Sequence, residues 1–386
     1  MTLAGKHKET AMRLGFTAEQ EELRTGVRRL LTEHASTDRL RAELESEEPY
    51  DAGLWKLMAE SLGLHAMAIP EEYGGAGYGF REQSVVLEEM GRVLLRSPYL
   101  STVVVAANAL LLGDDEELRR EWLPRIAAGD AIASLAHVEA DGDWRATRPR
   151  ASAVRDGEGW RVTGTKSFVL DGVQADLLLV LASVAGGEEG ETVLLAVDTR
   201  EAGVVAEDVP VLDMTRRLAT VTFAGARGRA VALGARARQV LDATLGIAAA
   251  GLACEQVGGA ARSLEVAVEY AKVREQFGVP IGSFQAIKFK CADMLLDLEA
   301  ARSAAYYAAA AVADDAADLP VATSVAKAVC SDAYTAITGE MIQVLGGIGY
   351  TWEHDAHLYF KRAKASQHLF GDSDLHREQL AVRVGV

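Results

Sequence analysis

Eight histidines and three cysteines are the side chains most able to bind a metal or do redox chemistry, and their spacing speaks against both. Only His354 and His357 lie close together, at i,i+3. Such a pair can hold an ion on one helix face, but no HExxH context and no third ligand accompanies it, so no metal is expected. Cys254, Cys291 and Cys330 form no CxxC pair and sit in Ala-rich helical stretches, which suits buried apolar fillers in a reducing cytoplasm. Nucleophile and phosphate templates fail too. There is no GxSxG and no Walker loop, and the GxG-like run Gly346-Gly347-Ile348-Gly349 follows a helix where a dinucleotide fingerprint needs a strand. Two segments remain. Residues 270–285 read YAKVREQFGVPIGSFQ; by local rules they are a helix end, with Arg274 facing the negative dipole, Gly278 as the C′ residue and Pro280 as the stop. Residues 343–353 read QVLGGIGYTWE, a Gly-rich helix stop followed by aromatic packing.

The elements that must position these segments fall into three parts. Thr17-Ala18-Glu19-Gln20 fits a capping box, Leu23, Val27, Leu30 and Leu31 recur at helical spacing, and Val86, Met90, Val93 and Leu94 repeat the pattern, so residues 12–130 read as a helical domain. Residues 131–235 change texture. Short β-rich runs at 159–163, 177–181, 192–197 and 219–223, separated by turn clusters such as Asp156-Gly157-Glu158-Gly159, predict an antiparallel β domain. Helices return over 236–386. Ile287, Cys291, Met294, Leu298 and Ala305 mark one face, and Val325, Val329, Ala333, Ile337 and Val344 another; Pro320 opens the second helix and Gly346-Gly347 closes it. Long Ala-rich helices joined by short loops pack as an antiparallel bundle. The expected class is α+β and multidomain.

Charge narrows the partners. A net charge of −16 over 386 residues argues against a nucleic-acid binder, which needs clustered Lys and Arg. The longest uncharged run, residues 97–113, is shorter than the ~20 residues of a membrane span. The opening MTLAGKHKET has no apolar core behind its charges, so no secretory signal is expected.

Together, at this separation and after an α-then-β lead-in, the runs RxQFGxPIxxFQ and QxxGGxGY resemble the acyl-CoA dehydrogenase family of flavoproteins, over almost the whole chain. The resemblance implies an N-terminal helical domain, a middle antiparallel β domain, a C-terminal four-helix bundle, and FAD as cofactor. It places Arg274 at the FAD pyrophosphate, with Gln276, Phe277 and Gln285 around the diphosphate and adenosine, and Gln343, Gly346 and Gly347 at the other end. Each role is physically sensible, since a fixed guanidinium suits phosphate oxygens and glycine lets backbone amides approach closely. Both groups often come from a neighbouring subunit in this family. Phe168 would lie against the isoalloxazine, with the backbone at Val169 and Leu170 near its reactive N5 edge. Two hydroxyls are lost, because Val138 precedes Glu139 and Leu170 follows Val169 where the family usually has threonine.

The family reaction takes an α-proton from an acyl thioester while a β-hydride goes to the flavin, and it needs a carboxylate near Cα. The usual base position is Gly371 here, and the alternative position on the preceding long helix is Ala248. Glu255 lies seven residues further on, roughly 10 Å along the axis, and Asp372 is next to Gly371; both are weak candidates, each with a plain structural reading. Ser373 would replace the family's threonine and keep its hydroxyl. The first expectation is an FAD-dependent enzyme forming an α,β double bond in an acyl thioester, on CoA or another carrier, with electrons leaving through an electron-transfer flavoprotein. A flavin monooxygenase on the same fold needs no such base. A subunit lacking catalysis could instead complete the FAD site of a partner, so a homodimer, a homotetramer and a mixed heterotetramer all stay open.

Overall fold

In the computed structural model, residues 15–188 and 190–386 are described; the start of the expected first domain at residue 12 and the opening MTLAGKHKET lie outside them. The first part is helical: α1 (Ala18–His34), α2 (Thr37–Glu45), α3 (Ala52–Leu62), α4 (Phe80–Arg92), a π-helical stretch at Leu100–Ala106 that runs into α5 (Ala107–Leu112), and α6 (Glu116–Ala127). The capping box is formed. Thr17 Oγ1 accepts from Gln20 N, and Gln20 Oε1 accepts from Thr17 N at 2.9 Å.

The middle part is a barrel of β1 (Ala133–Ala136), β2 (Ser152–Asp156), β3 (Gly159–Leu170), β4 (Leu177–Val184), β5 (Thr192–Asp198), β6 (Val204–Asp208) and β7 (Leu218–Leu233). Strands pair β4–β2–β3–β7–β5 and back to β4, which closes the ring and leaves only β1 and β6 attached outside it. Closure removes the exposed edges that an open sheet would have to protect. Most pairs are antiparallel, as the short runs predict, but β1 and β2 both lie parallel to β4. Parallel neighbours are joined by long connections that leave no hairpin turn to read in the sequence.

The last part is built on α7 (Gly234–Val273), a 40-residue helix, with α8 (Gln285–Ala313) and α9 (Leu319–Leu345). A two-strand hairpin, β8 (Glu275–Gln276) and β9 (Val279–Pro280), joins α7 to α8, while α10 (Ala356–His368) and α11 (Ser373–Val384) lie on α9 and complete the bundle. By length and composition α7 could cross a membrane, yet 78% of its apolar window is buried inside the fold, as befits a core helix. Two glycines let α4 and α7 touch backbone to backbone. A Cβ at Gly258 would fall 1.8 Å from the Glu88 carbonyl oxygen, and one at Gly91 would fall 2.0 Å from that of Glu255. That contact brings Glu255 to the junction of all three parts.

Candidate active site

Seven non-glycine residues among those described have positive φ, and three of them are phenylalanines: Phe168 (φ 56°), Phe277 (56°) and Phe370 (60°). Bulky side chains avoid this region, at a cost of roughly 1–3 kcal/mol each, and such strain gathers where function holds it. Phe277 lies in the 270–285 segment, Phe168 is the residue that the family resemblance sets against the isoalloxazine, and Phe370 precedes Gly371, the usual base position.

Phe168 owes its geometry to a bulge in β3. The β3–β7 register slips between Lys166 and Val169, and Ser167 N turns instead to the Val138 carbonyl at 2.9 Å. The turned-out ring of Phe168 is 37% exposed, while Val169 and Leu170 return to the core. Behind it, fully buried Lys166 donates to Glu139 at 2.8 Å. Burial tends to raise the Glu139 carboxyl, but bonds from Ala151 N, Lys166 and Arg150 N outweigh it and hold it low.

Phe370 and Gly371 form the turn between α10 and α11. Gly371 has φ +96°, and a Cβ there would meet Leu375 at 2.6 Å. Fully buried Lys327 of α9 donates to Gly371 O (2.8 Å), Gln367 O (3.1 Å) and Ser331 Oγ (3.0 Å), and His376 Nε2 donates to Phe370 O (3.0 Å). The carboxylate of Asp372 caps α11 by accepting from Leu375 N at 2.9 Å. The hydroxyl of Ser373, expected to serve the cofactor, points inward and donates to Asp332 Oδ1 at 2.7 Å, because the first residue of α11 is buried against α9.

Burial pushes the Lys327 ammonium down to about 7, with no carboxylate in contact. Its folded value lies below its unfolded one, so above pH 7 the unfolded chain binds more protons and stability rises with pH. We expect the stability of the protein relative to Lys327→Met to increase between pH 7 and about 10 in paired melts, the window set by the usual lysine value. A gap that does not move with pH would contradict this.

Glu255 is spoken for. Its Oε1 accepts from Arg362 at 2.6 Å and from Arg216. Burial by itself would raise this carboxyl, but Arg216 and Arg362 bring it below the usual carboxylate range. Arg362 also reaches Asp213 (3.0 Å), Thr215 O (2.9 Å) and the carbonyls of Leu94 and Leu95. Ala248 is fully buried in α7.

The two surface clusters are separate. Phe277 and Gly278, both with positive φ, form the tip of the β8–β9 hairpin, and Phe277 is 94% exposed with only Phe284 beside it, edge-on at 6.1 Å. Arg274 and Gln285 are exposed, and Gln276 turns its amide to the Glu275 carbonyl. Gln343 donates to Tyr350 Oη at 3.0 Å, and the space around a Cβ at Gly346 or Gly347 is open. Among the described residues, no hydrogen bond, ion pair or ring contact joins these clusters to each other or to Phe168. His354 Nδ1 accepts from Ala356 N and His357 packs on Trp352; no group of three or more potential metal ligands occurs among the described residues.

Sequence reasoning missed Trp144. Its ring lies 6.5 Å from that of Phe168 and 5.9 Å from that of Phe370, and beside it opens a cleft of ≈ 550 Å³ between the starts of α7 and α9 and the face of α11. A lone aromatic in the charged run DGDWRATR was the available signal. For a flavin dinucleotide the fit is divided. A free guanidinium, exposed amides and open glycine backbone suit a diphosphate and an adenine, whereas the space before Phe168 already holds Trp144.

Family models for the acyl-CoA dehydrogenase N-terminal and C-terminal domains match residues 17–130 and 238–385. The chain is 38% identical to acyl-CoA dehydrogenase IpdE2 of Mycolicibacterium smegmatis, over 95% of this chain and 97% of that one. Among solved structures it is similar to the Tcur3481–Tcur3483 steroid ACAD G363A variant (TM-score 0.86, 33% identity, 95% and 98% coverage). It is also similar to the ChsE4–ChsE5 complex from Mycobacterium tuberculosis (TM-score 0.87, 28% identity, 97% and 99% coverage). The chain belongs to the acyl-CoA dehydrogenase family, FAD-dependent oxidoreductases that act on acyl-CoA thioesters.

Proposed function

We propose that this chain is one subunit of a mixed assembly that desaturates an acyl-CoA thioester between Cα and Cβ and hands the electrons to an electron-transfer flavoprotein. One observation carries the reading: the site has its aromatic wall and an exposed Arg274, but among the described residues it holds no carboxylate free to take the α-proton, Asp242 at the cleft being paired with Arg238. Gly371 and Ala248 bear no acid, Glu255 is held by two arginines, and Asp372 caps a helix. The base then comes from a second, different subunit. The paired names ChsE4–ChsE5 and Tcur3481–Tcur3483 support a two-component assembly. Exposed Phe277, Phe289, Leu296, Tyr350 and Trp352 support a large partner contact.

When bound, FAD accepts the hydride from the β-carbon. Arg274 would meet its pyrophosphate, with Gln276 and Gln285 as amide donors and the open backbone at Gly346 and Gly347 facing the other end. The ≈ 550 Å³ cleft would take the thioester, and its walls include Arg145, Arg238 and Arg383, cations suited to CoA phosphates. Free cysteines at 254, 291 and 330 suit a cytoplasmic setting.

Co-expression with a base-bearing relative, followed by flavin titration and an anaerobic panel of linear and steroid-derived acyl-CoA esters, tests the reading. Arg274→Ala should weaken FAD retention by about 10–100-fold, the value of a charge-assisted hydrogen bond. FAD held as tightly by the variant as by the parent assembly would remove Arg274 from the cofactor site.

A further inference from the structure

The loop spanning residues 139–150 is tied down at three places. At its ends, Glu139 accepts from Arg150 N and Ala151 N at 2.9 Å and from Lys166 at 2.8 Å. In its middle, Asp143 accepts from Arg145 N and Thr147 N at 3.0 Å and from Thr147 Oγ1 at 2.8 Å. From α7, Arg238 donates to the carbonyls of Arg145 (2.6 Å) and Ala146 (3.3 Å). Between these ties stands Trp144, its ring within 6.5 Å of Phe168, 5.9 Å of Phe370 and 5.8 Å of buried His137. Centroid separations of about 4.5–7 Å are direct ring contact, so no further ring fits between these partners.

We infer that Trp144 is a built-in plug that competes with the isoalloxazine for the face of Phe168. This rests on the reading above, with Phe168 as the aromatic wall for the flavin ring and the cleft beside Phe370 for the thioester. Trp144 bridges those two elements and fills the gap that both ligands need. Among the described residues no hydrogen bond holds its indole, so the ring can swing aside about its side-chain torsions while the backbone, which is bonded to buried His137, stays in place. The chain is thereby closed to the flavin ring while its Arg274 cluster stays open to the diphosphate half.

The test is a titration of the purified full chain, parent and Trp144→Ala, with FAD and separately with ADP, following ligand polarisation and tryptophan emission. Trp144→Ala should bind FAD about tenfold more tightly, the scale of removing one ring contact from a competition, with ADP affinity unchanged. In the parent, saturating FAD should change the emission in a way absent from the variant. Equal FAD affinity would overturn the plug, and weaker binding by the variant would make Trp144 a cofactor contact instead. Binding of neither FAD nor ADP by either protein would defeat the FAD reading together with the plug, whereas ADP binding without an FAD gain would defeat the plug alone. Should Trp144→Ala fail to fold, Trp144→Leu, smaller and without a stacking face, carries the same expected direction.

Discussion

Arg362→Met should lower the stability of the protein by about 3–5 kcal/mol, the usual cost of removing one partner from a buried ion pair. Methionine fills similar space but leaves Asp213, 2% exposed, without its cation and strips one of the two arginines from Glu255. It also unpairs the Thr215 carbonyl, in the loop between β6 and β7, and the Leu94 and Leu95 carbonyls, in the turn after α4. The guanidinium is thus the tie between all three parts, and its loss should separate their unfolding as well as weaken it. Thermal melts should shift down by roughly 10 °C and broaden or split, given a few degrees per kcal/mol for chains of this size. A single transition within about 2 °C of the parent, where only an ordinary surface substitution would leave it, would show that the network contributes little.

The second large effect concerns catalysis. Without its partner, the chain should reduce flavin with a linear acyl-CoA about 10²–10⁴-fold more slowly than the mixed assembly, the range that a placed general base contributes. In the assembly, Asp372→Asn and Glu255→Gln should leave the rate per folded molecule nearly unchanged. The first carboxylate caps α11, and the second is kept charged and engaged by Arg216 and Arg362. Fast flavin bleaching by the chain alone would sink this, and its loss in either variant would identify the base. Adding a glutamate at Gly371 is no simple repair. The φ of +96° strains any side chain, and the new Cβ would press on Leu375, so Gly371→Glu should lose stability without gaining rate.

Much of the site was legible because its signals are local. The capping box at Thr17 and the Gly346 closure of α9 each depend on a few neighbouring residues and form where the pattern puts them, whereas α7 ends at Val273 with Arg274 as its C-cap, and Gly278 sits instead at the tip of the β8–β9 hairpin. The motif pair, through the family resemblance, nominated Arg274 for the FAD phosphates, and that side chain is exposed. The engagement of Ser373 by Asp332 could not be read in this way, because the inward turn of α11 depends on a helix some forty residues earlier in the chain.

By itself, then, the sequence determined the three-part order of elements, the positions of Arg274, Gln343 and the glycines around them, and the lack of an acid at Gly371 and Ala248. Those are properties of residue type and near spacing, set by capping, periodicity and backbone preference. Only the tertiary structure decided which polar groups remain free. Glu255 meets Arg216 and Arg362 across 39 and 107 positions, Lys327 reaches Gly371 across 44, and Trp144 closes on Phe168 and Phe370 from a loop with no periodic signal. The physical reason is that a charge or ring takes its role from what burial places within a few ångströms of it, and those neighbours arrive from distant strands and helices.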